Sequence, residues 1–217
     1  MNDLSVLSNA VAVSSVDMKE LSSVVGGGAF LPYITLCGSS SDLAKEGKIP
    51  MGNFALVRGK DNAADLGKTF VMVVLAVRPV ALKFSEGDRF YDPKSAEFQD
   101  IRRQADGPGQ TGCGYGPEFL VWLPEHGCFA QYGLFSKTGR NESPNLVGPL
   151  TKSGPFVCTQ TSHLITGKGP NPYKWHGPRT GEYNLDVQLP DVEAVKHEVD
   201  KFINPPVVEK VDEQLDR

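Results

Sequence analysis

The stretch KTFVMVVLAVRPVALKF, residues 68–84, decides the fold of this chain. It is rich in the branched residues that favour strands, and only Pro79 interrupts it. Because proline cannot donate a hydrogen bond to a neighbouring strand, we expect a bend or bulge near Pro79. Long, coiled strands are what small barrels use to turn corners. The stretch therefore predicts a mainly β fold, a β-barrel.

The flanking sequence predicts a hairpin and two helices. The best hairpin spans residues 118–137, where apolar runs flank a turn at 124–127. An interior helix is expected at 95–105, because Ser95 can cap it and Phe98 and Ile101 follow at helical spacing. A C-terminal helix is expected at 192–203. Shorter strands are expected at residues 30–37, 54–58, 155–161 and 181–189.

Length and composition predict one compact domain with two tails. The chain has 217 residues, and 40% of them are hydrophobic, which is enough for a core. Residues 1–29 are expected to form a flexible N-terminal arm, residues 30–190 the β-barrel domain, and residues 191–217 the C-terminal helix and an acidic tail.

The chain lacks the signals of membrane insertion and secretion. Its longest apolar run, 70–77, is much shorter than the ~20 residues of a membrane helix, and no basic region followed by an apolar one opens the sequence. We therefore expect a cytoplasmic protein, in the host cytoplasm if it is viral. The cysteines are widely spaced, without a CxxC pair, and are expected to be free thiols: Cys37, Cys113, Cys128 and Cys158.

Charge is distributed unevenly along the chain. The net charge is −4, but residues 31–180 hold 17 basic and 13 acidic side chains. Residues 181–217 hold four basic and ten acidic ones. The body of the chain, residues 31–180, therefore has a net positive charge, and the acidic C-terminal residues make the charge of the whole chain negative. A flexible acidic tail can occupy a basic groove, and it can recruit partners when a ligand displaces it.

No catalytic or metal-binding motif is recognisable. Gly67-Lys68-Thr69 resembles the end of a phosphate-binding loop, but Asn62 stands where the motif needs glycine, and a strand-like run follows. The four histidines are isolated from one another. We therefore expect a binding protein without enzymatic activity, metal or cofactor.

Aromatic and basic side chains alternate in three segments of the body. Single-stranded nucleic acid needs flat rings on which bases stack and cations along the phosphates. The candidate nucleic-acid-binding residues are Arg78, Lys83, Arg89, Tyr91, Tyr115, Trp122, Tyr132, Lys137, Arg140, Tyr173, Lys174, Trp175 and Arg179. The hairpin aromatics also fit a β-sheet core, whereas Tyr173 and Trp175 are expected in a loop with little apolar support.

Together, the long strand 68–84, the helix 95–105, the hairpin 118–137 and the acidic tail resemble bacteriophage single-stranded-DNA-binding proteins of the OB-fold type. The resemblance covers roughly residues 31–217. It implies an OB-like barrel that binds single-stranded DNA during replication or recombination, recruits replication proteins through the tail, and can form homo-oligomers. The tail departs from the family pattern, because it ends in Gln214-Leu215-Asp216-Arg217 and not in an aromatic or strongly acidic tip.

Other functions stay open from the sequence alone. A viral structural or assembly protein would explain the Gly/Pro-rich loops and the N-terminal arm equally well. The protein is alternatively an adaptor that binds another protein, and its acidic C-terminal end would suit a basic partner. An enzyme would require a cleft with a carboxylate or histidine of shifted pKa.

Overall fold

A computed structural model of the chain describes residues 31–59, 62–108, 112–168, 172–183 and 185–205. Nine strands lie in these ranges: β1 (Tyr33–Leu36), β2 (Phe54–Gly59), β3 (Asn62–Gly67), β4 (Thr69–Lys83), β5 (Arg89–Phe90), β6 (Cys113–Leu123), β7 (Cys128–Gly133), β8 (Phe156–Thr166) and β9 (Lys174–Tyr183). Five α-helices accompany them: α1 (Asp42–Lys45), α2 (Ala96–Asp106), α3 (Lys137–Glu142), α4 (Pro144–Ser153) and α5 (Val192–Ile203). The expected N-terminal arm and acidic tail lie outside the described residues.

The strands form one mixed sheet in the order β3-β2-β1-β7-β6-β4-β8-β9, with β5 paired to the end of β4. Neighbouring strands are antiparallel except β1 and β7, which run parallel. The prediction of a mainly β fold is confirmed. The expected closed OB-like barrel is not, because no pairing joins β3 to β9 in the described part of the chain.

The sheet curls strongly although it stays open. The rings of Phe54 in β2 and Phe70 in β4 lie 4.9 Å apart, although three strands separate β2 from β4 in the sheet. Tyr132 in β7 approaches Phe54 to 6.4 Å and Phe70 to 6.1 Å. Strands so far apart in order can touch only if this face is concave. The largest buried cluster of the core therefore fills the inside of the curl.

The long strand β4 accommodates Pro79 without a bulge at that position. Pro79 lies opposite Pro117 of β6, and the register shift occurs instead between Val74 and Ala76. Two prolines cannot donate to each other, so they fit a pair of the non-hydrogen-bonded type, whose N atoms point away from the partner strand. On the edge of β4 that faces away from β6, residues 75–80 pair with neither β8 nor β5, so the missing donor of Pro79 leaves no strand hydrogen bond unmade. The predicted bend near Pro79 is thus displaced along the strand.

The convex face is covered by helix α5, as an amphipathic C-terminal helix should do. Val195, Val199 and Phe202 are buried against Val73 and Leu120 of the sheet. The Asp191 carboxylate caps the helix, accepting hydrogen bonds from the backbone N–H groups of Glu193 and Ala194. The predicted helix 192–203 is confirmed.

The interior helix and the hairpin are confirmed as well. Ser95 caps α2 by accepting a hydrogen bond from the Phe98 N–H at 3.2 Å, and Phe98 and Ile101 are buried. Strands β6 and β7 form the expected hairpin around a short 3₁₀ turn, Pro124–His126.

One strand differs from the expectation, and two helices were not predicted. The strand expected at 181–189 begins earlier, because β9 runs over Lys174–Tyr183 and includes the segment assigned to a loop. Pro178 is tolerated there because β9 is an edge strand. Helices α3 and α4 were not anticipated, since their sequence contains glycine and an internal proline, Pro149. In the described ranges, no helix has the length and apolar character needed to cross a bilayer.

Candidate nucleic-acid interface

A buried ion-pair network joins β4, β6 and the segment at β5. The Arg78 guanidinium donates two hydrogen bonds to one Glu118 carboxylate oxygen, at 3.0 and 2.7 Å, and a third to the Phe202 carbonyl. Arg89 donates to the other Glu118 oxygen. The Arg78 guanidinium also lies between the rings of Tyr91, at 4.3 Å, and Phe202, at 4.1 Å. The network fastens helix α5 to the sheet.

The network carries excess positive charge, because two guanidinium groups share the single Glu118 carboxylate. Burial acts to lower the pKa of Arg89, but the neighbouring Glu118 carboxylate and the Tyr91 hydroxyl together outweigh it, so the pKa is raised. Arg89 stays charged and is only partly buried, with 22% of its side chain exposed. It is the member of the network nearest to solvent.

Helix α3 is held in place from its N-terminal side. The Ser136 hydroxyl caps it by accepting the Gly139 N–H at 3.0 Å. Arg140 donates to the Phe135 carbonyl at 2.7 Å and to the Asp106 carboxylate at 2.8 Å, and its guanidinium lies 4.0 Å from the centre of the Tyr115 ring. These contacts tie α3 to the end of α2 and to β6.

Strand β9 meets α3 at a glycine. A side-chain carbon at Gly177 would lie 2.6 Å from side-chain atoms of both Thr138 and Ile165, so any larger residue would have to push these side chains aside. Beside it, the Trp175 indole N–H donates to the Thr138 hydroxyl at 3.1 Å. The hydrogen bond fixes the ring plane of Trp175 relative to α3.

Tyr173 and Trp175 form an aromatic pair at the start of β9. Their ring centres lie 4.9 Å apart and their planes differ by 27°, so the rings are stacked. Tyr173 is 71% exposed, the largest exposure among the exposed large hydrophobic side chains of the described residues. Three basic side chains in this region are exposed: Lys137, Lys174 and Arg179. The pair thus presents a flat, accessible ring, and Lys137 lies next to Thr138, the hydrogen-bond partner of Trp175.

Two adjoining cavities lie next to this region. The first, about 460 Å³, opens where the parallel strands β1 and β7 end, and Tyr33, Arg89 and His176 are among its lining residues. The second, about 570 Å³, lies between α2 and α3 and is lined partly by Lys137 and Arg140. The cavities share three lining residues, Phe84, Phe135 and Ser136. The cavities therefore adjoin at these residues, and the two together are called the groove.

The predicted site residues fall into three groups. Tyr173 and Trp175 stack on each other, and Lys137 is adjacent to Thr138, the hydrogen-bond partner of Trp175. Lys174 and Arg179 are exposed on β9. Arg89 and Arg140 line the cavities, and Tyr115 lies under the Arg140 guanidinium. Lys83 is half-buried and pairs with Glu86 at 3.2 Å.

The remaining candidates serve as packing. Arg78, Tyr91 and Tyr132 are buried, and the Tyr132 hydroxyl donates to the Gln160 side chain at 3.2 Å. Trp122 packs on Phe129 and donates its indole N–H to the Gln188 carbonyl at 3.1 Å.

Three groove residues were missed from the sequence. Tyr33 and Phe84 are 47% and 59% exposed at the groove, and His176 lines the first cavity. His176 is held by the Ser162 hydroxyl, 3.2 Å from its Nδ1 atom, and it lies close against Gly52. Their isolated positions in the sequence gave no pattern, because β1, β4 and β9 meet only through the curl of the sheet.

No family model, curated protein or solved structure matches the chain. Among the described side chains, no three histidines, cysteines or acidic residues cluster closely enough to hold a metal ion. The functional argument therefore rests on the geometry of the groove and the aromatic pair.

Proposed function

We propose that the protein binds single-stranded DNA, with bases stacked on the aromatic pair and phosphates beside the surrounding cations. The observation that carries the proposal is the exposed, stacked arrangement of Tyr173 on Trp175. A ring exposed to this degree contributes little to folding, but it offers a face to an unpaired base. Such stacking is worth roughly 1–3 kcal/mol per base and needs no base-specific contact.

An exposed cation beside the pair supports the same function. Lys137 begins α3 immediately before Thr138, the partner of Trp175, and it also lines the second cavity. A DNA strand that stacks on Tyr173 would pass this ammonium group and continue toward the groove. Lys174 lies between the two rings in sequence, but alternation along the strand points its side chain to the opposite face of β9. In this proposal the open, curled sheet does what a closed barrel does in an OB fold, which is to display a groove on a rigid support.

The biological setting follows from the same proposal. A protein that coats unpaired DNA would protect replication or recombination intermediates in the cytoplasm, or in the host cytoplasm if it is viral. The acidic C-terminal residues would recruit replication proteins, and the protein could act as a homo-oligomer. DNA coating and the recruitment of partners require neither a cofactor nor an enzymatic activity.

Intrinsic fluorescence tests the proposal, because the two tryptophans occupy different environments. In a Trp122→Phe variant, Trp175 is the sole tryptophan, and we expect a thymidine homopolymer to quench it at low salt. In the matched Trp175→Phe variant, Trp122 reports from its packed position beside Phe129, and we expect little quenching. Duplex DNA of the same length is the second control.

Absence of quenching in the Trp122→Phe variant, at micromolar protein and low salt, would overturn the proposal. Equal quenching by single-stranded and duplex DNA would contradict stacking and leave only charge attraction. A stable large assembly that buries Tyr173 without DNA affinity would favour a structural or assembly protein.

A further inference from the structure

The first cavity combines features that the proposed strand-binding surface does not need. It is about 460 Å³, within the range of roughly 300–1,000 Å³ typical of small-molecule pockets. It lies at the carboxyl ends of β1 and β7, the parallel pair of the sheet. Parallel strands whose ends diverge leave a crevice, and ligands of open sheets commonly bind in such crevices.

The polar wall of this cavity favours an anion. Arg89 and Glu118 both line it, but the Glu118 carboxylate is already occupied by Arg78 and Arg89. The network therefore presents one uncompensated positive charge to the cavity, through the partly exposed Arg89. An anion placed there would gain a charge-assisted hydrogen bond in a setting of reduced solvent screening.

The rest of the wall favours a flat ring. Tyr33 and Phe84 are exposed residues of the lining, and Phe135 is a third aromatic side chain between the two cavities. His176, opposite them on β9, adds an imidazole that can donate or accept a hydrogen bond. A ligand suited to this cavity thus carries an aromatic ring and an anionic group on one small frame.

We propose that the first cavity binds one nucleoside monophosphate unit, with its base among the aromatic side chains and its phosphate at Arg89. That the ring belongs to a nucleotide rests on the proposed function, whereas the need for a ring and an anion rests on the cavity itself. The unit has two sources, a free nucleotide or the phosphorylated end of a DNA strand. In the second case the protein distinguishes strand ends from strand interiors.

Titration calorimetry of the full chain with thymidine 5′-monophosphate tests the proposal, with thymidine as the uncharged control. We expect the monophosphate to bind and thymidine to bind at least tenfold more weakly. The Arg89→Met variant keeps the aliphatic stem and leaves Glu118 paired with Arg78; we expect it to lose at least tenfold in monophosphate affinity. Arg103→Met, on the exposed face of α2, is the matched control and should bind normally.

A second variant fills the cavity with a larger side chain and leaves the ion-pair network unchanged. Gly38 lines the cavity, and a side-chain carbon built on it meets no atom within 4 Å. Gly38→Trp should therefore fill space and abolish monophosphate binding while the unfolding curve keeps its midpoint. Equal affinity for thymidine and its monophosphate, or unchanged monophosphate binding in both variants, would overturn the proposal.

Oligonucleotides separate the two sources and the two proposals. A tighter complex with a 5′-phosphorylated thymidine oligonucleotide than with its 5′-hydroxyl form, lost in Arg89→Met, identifies a strand end as the ligand. Equal oligonucleotide affinities with retained monophosphate binding identify a free nucleotide. If the homopolymer quenches Trp175 but the monophosphate does not bind, only the proposed nucleotide site in the first cavity is refuted. If the monophosphate binds but the homopolymer does not quench Trp175, only the proposed binding of single-stranded DNA is refuted.

Discussion

The Glu118 carboxylate accepts two hydrogen bonds from Arg78, and both side chains are buried, with exposures of 2% for Glu118 and 5% for Arg78. Removing one partner of a buried ion pair leaves a charge without compensation in a poorly solvated site. Glu118→Gln should therefore lower the free energy of unfolding by about 3–5 kcal/mol. Urea denaturation followed by far-UV circular dichroism measures this loss.

Glu86→Gln is the control for that measurement. The Glu86 carboxylate pairs with Lys83 at 3.2 Å, but more than half of it is exposed. An exposed pair of this kind contributes less than about 1 kcal/mol. Similar losses in Glu118→Gln and Glu86→Gln would mean that the buried network does not hold α5 to the sheet.

Tyr173→Ala should weaken homopolymer binding without changing stability. Stacking on one ring is worth roughly 1–3 kcal/mol, which corresponds to a loss of about 5- to 150-fold in affinity. Since Tyr173 is 71% exposed, its removal leaves no cavity in the core. Fluorescence titration of the variant gives the affinity. Leu164→Ala is the control, because Leu164 is also exposed, on the neighbouring strand β8, but has no aromatic face.

The elements that follow from local pattern were predictable from the sequence. Ser95 caps the helix it was expected to begin, the C-terminal helix covers the expected residues 192–203, and β6 and β7 pair through the turn at Pro124–His126. These features depend on neighbours within a few residues of the chain. Local hydrogen-bonding chemistry and hydrophobic period are therefore enough to place them.

The curl of the sheet was not predictable, because it depends on contacts between distant segments. Phe54 reaches Phe70 across three intervening strands, and the fit of α3 against β9 depends on Gly177. The sequence analysis also predicted that Arg78 binds DNA, whereas Arg78 pairs with Glu118, which lies 40 residues away in the chain. A pattern of charges along the sequence does not reveal such a distant partner. The groove residues Tyr33 and Phe84 were missed for the same reason.

Lys137→Ala should reduce the salt dependence of homopolymer binding, because Lys137 lies next to Thr138, the hydrogen-bond partner of Trp175. Each phosphate neutralised on single-stranded DNA contributes a slope of about −0.7 in a plot of log affinity against log salt concentration. Loss of one such contact should make the slope shallower by about that amount. Lys196→Ala on α5, where Lys196 pairs with Glu193 at 2.7 Å, should leave the slope unchanged. Identical slopes in both variants would show that Lys137 lies away from the phosphates.

The protein should lose stability in alkali partly through Cys158. Burial raises the pKa of this thiol from 9.0 to about 12, although a hydrogen bond with the Gln160 side chain acts in the opposite direction. Between these two values the unfolded chain releases the proton and the folded chain keeps it. Stability from this group is therefore complete below pH 9 and is lost as the pH rises toward 12.

Cys158→Ala isolates that contribution. In this interval each pH unit should cost the native protein about 1.4 kcal/mol more than the variant, the free energy equivalent of one proton. Urea denaturation of both proteins at pH 8, 9.5 and 10.5 measures the difference, and the Cys113→Ala variant controls for loss of a thiol that is only half-buried. Parallel stability curves for the native protein and Cys158→Ala would place the thiol in contact with water. The core on the concave face of the sheet would then admit water to Cys158, which contradicts the complete burial of this residue.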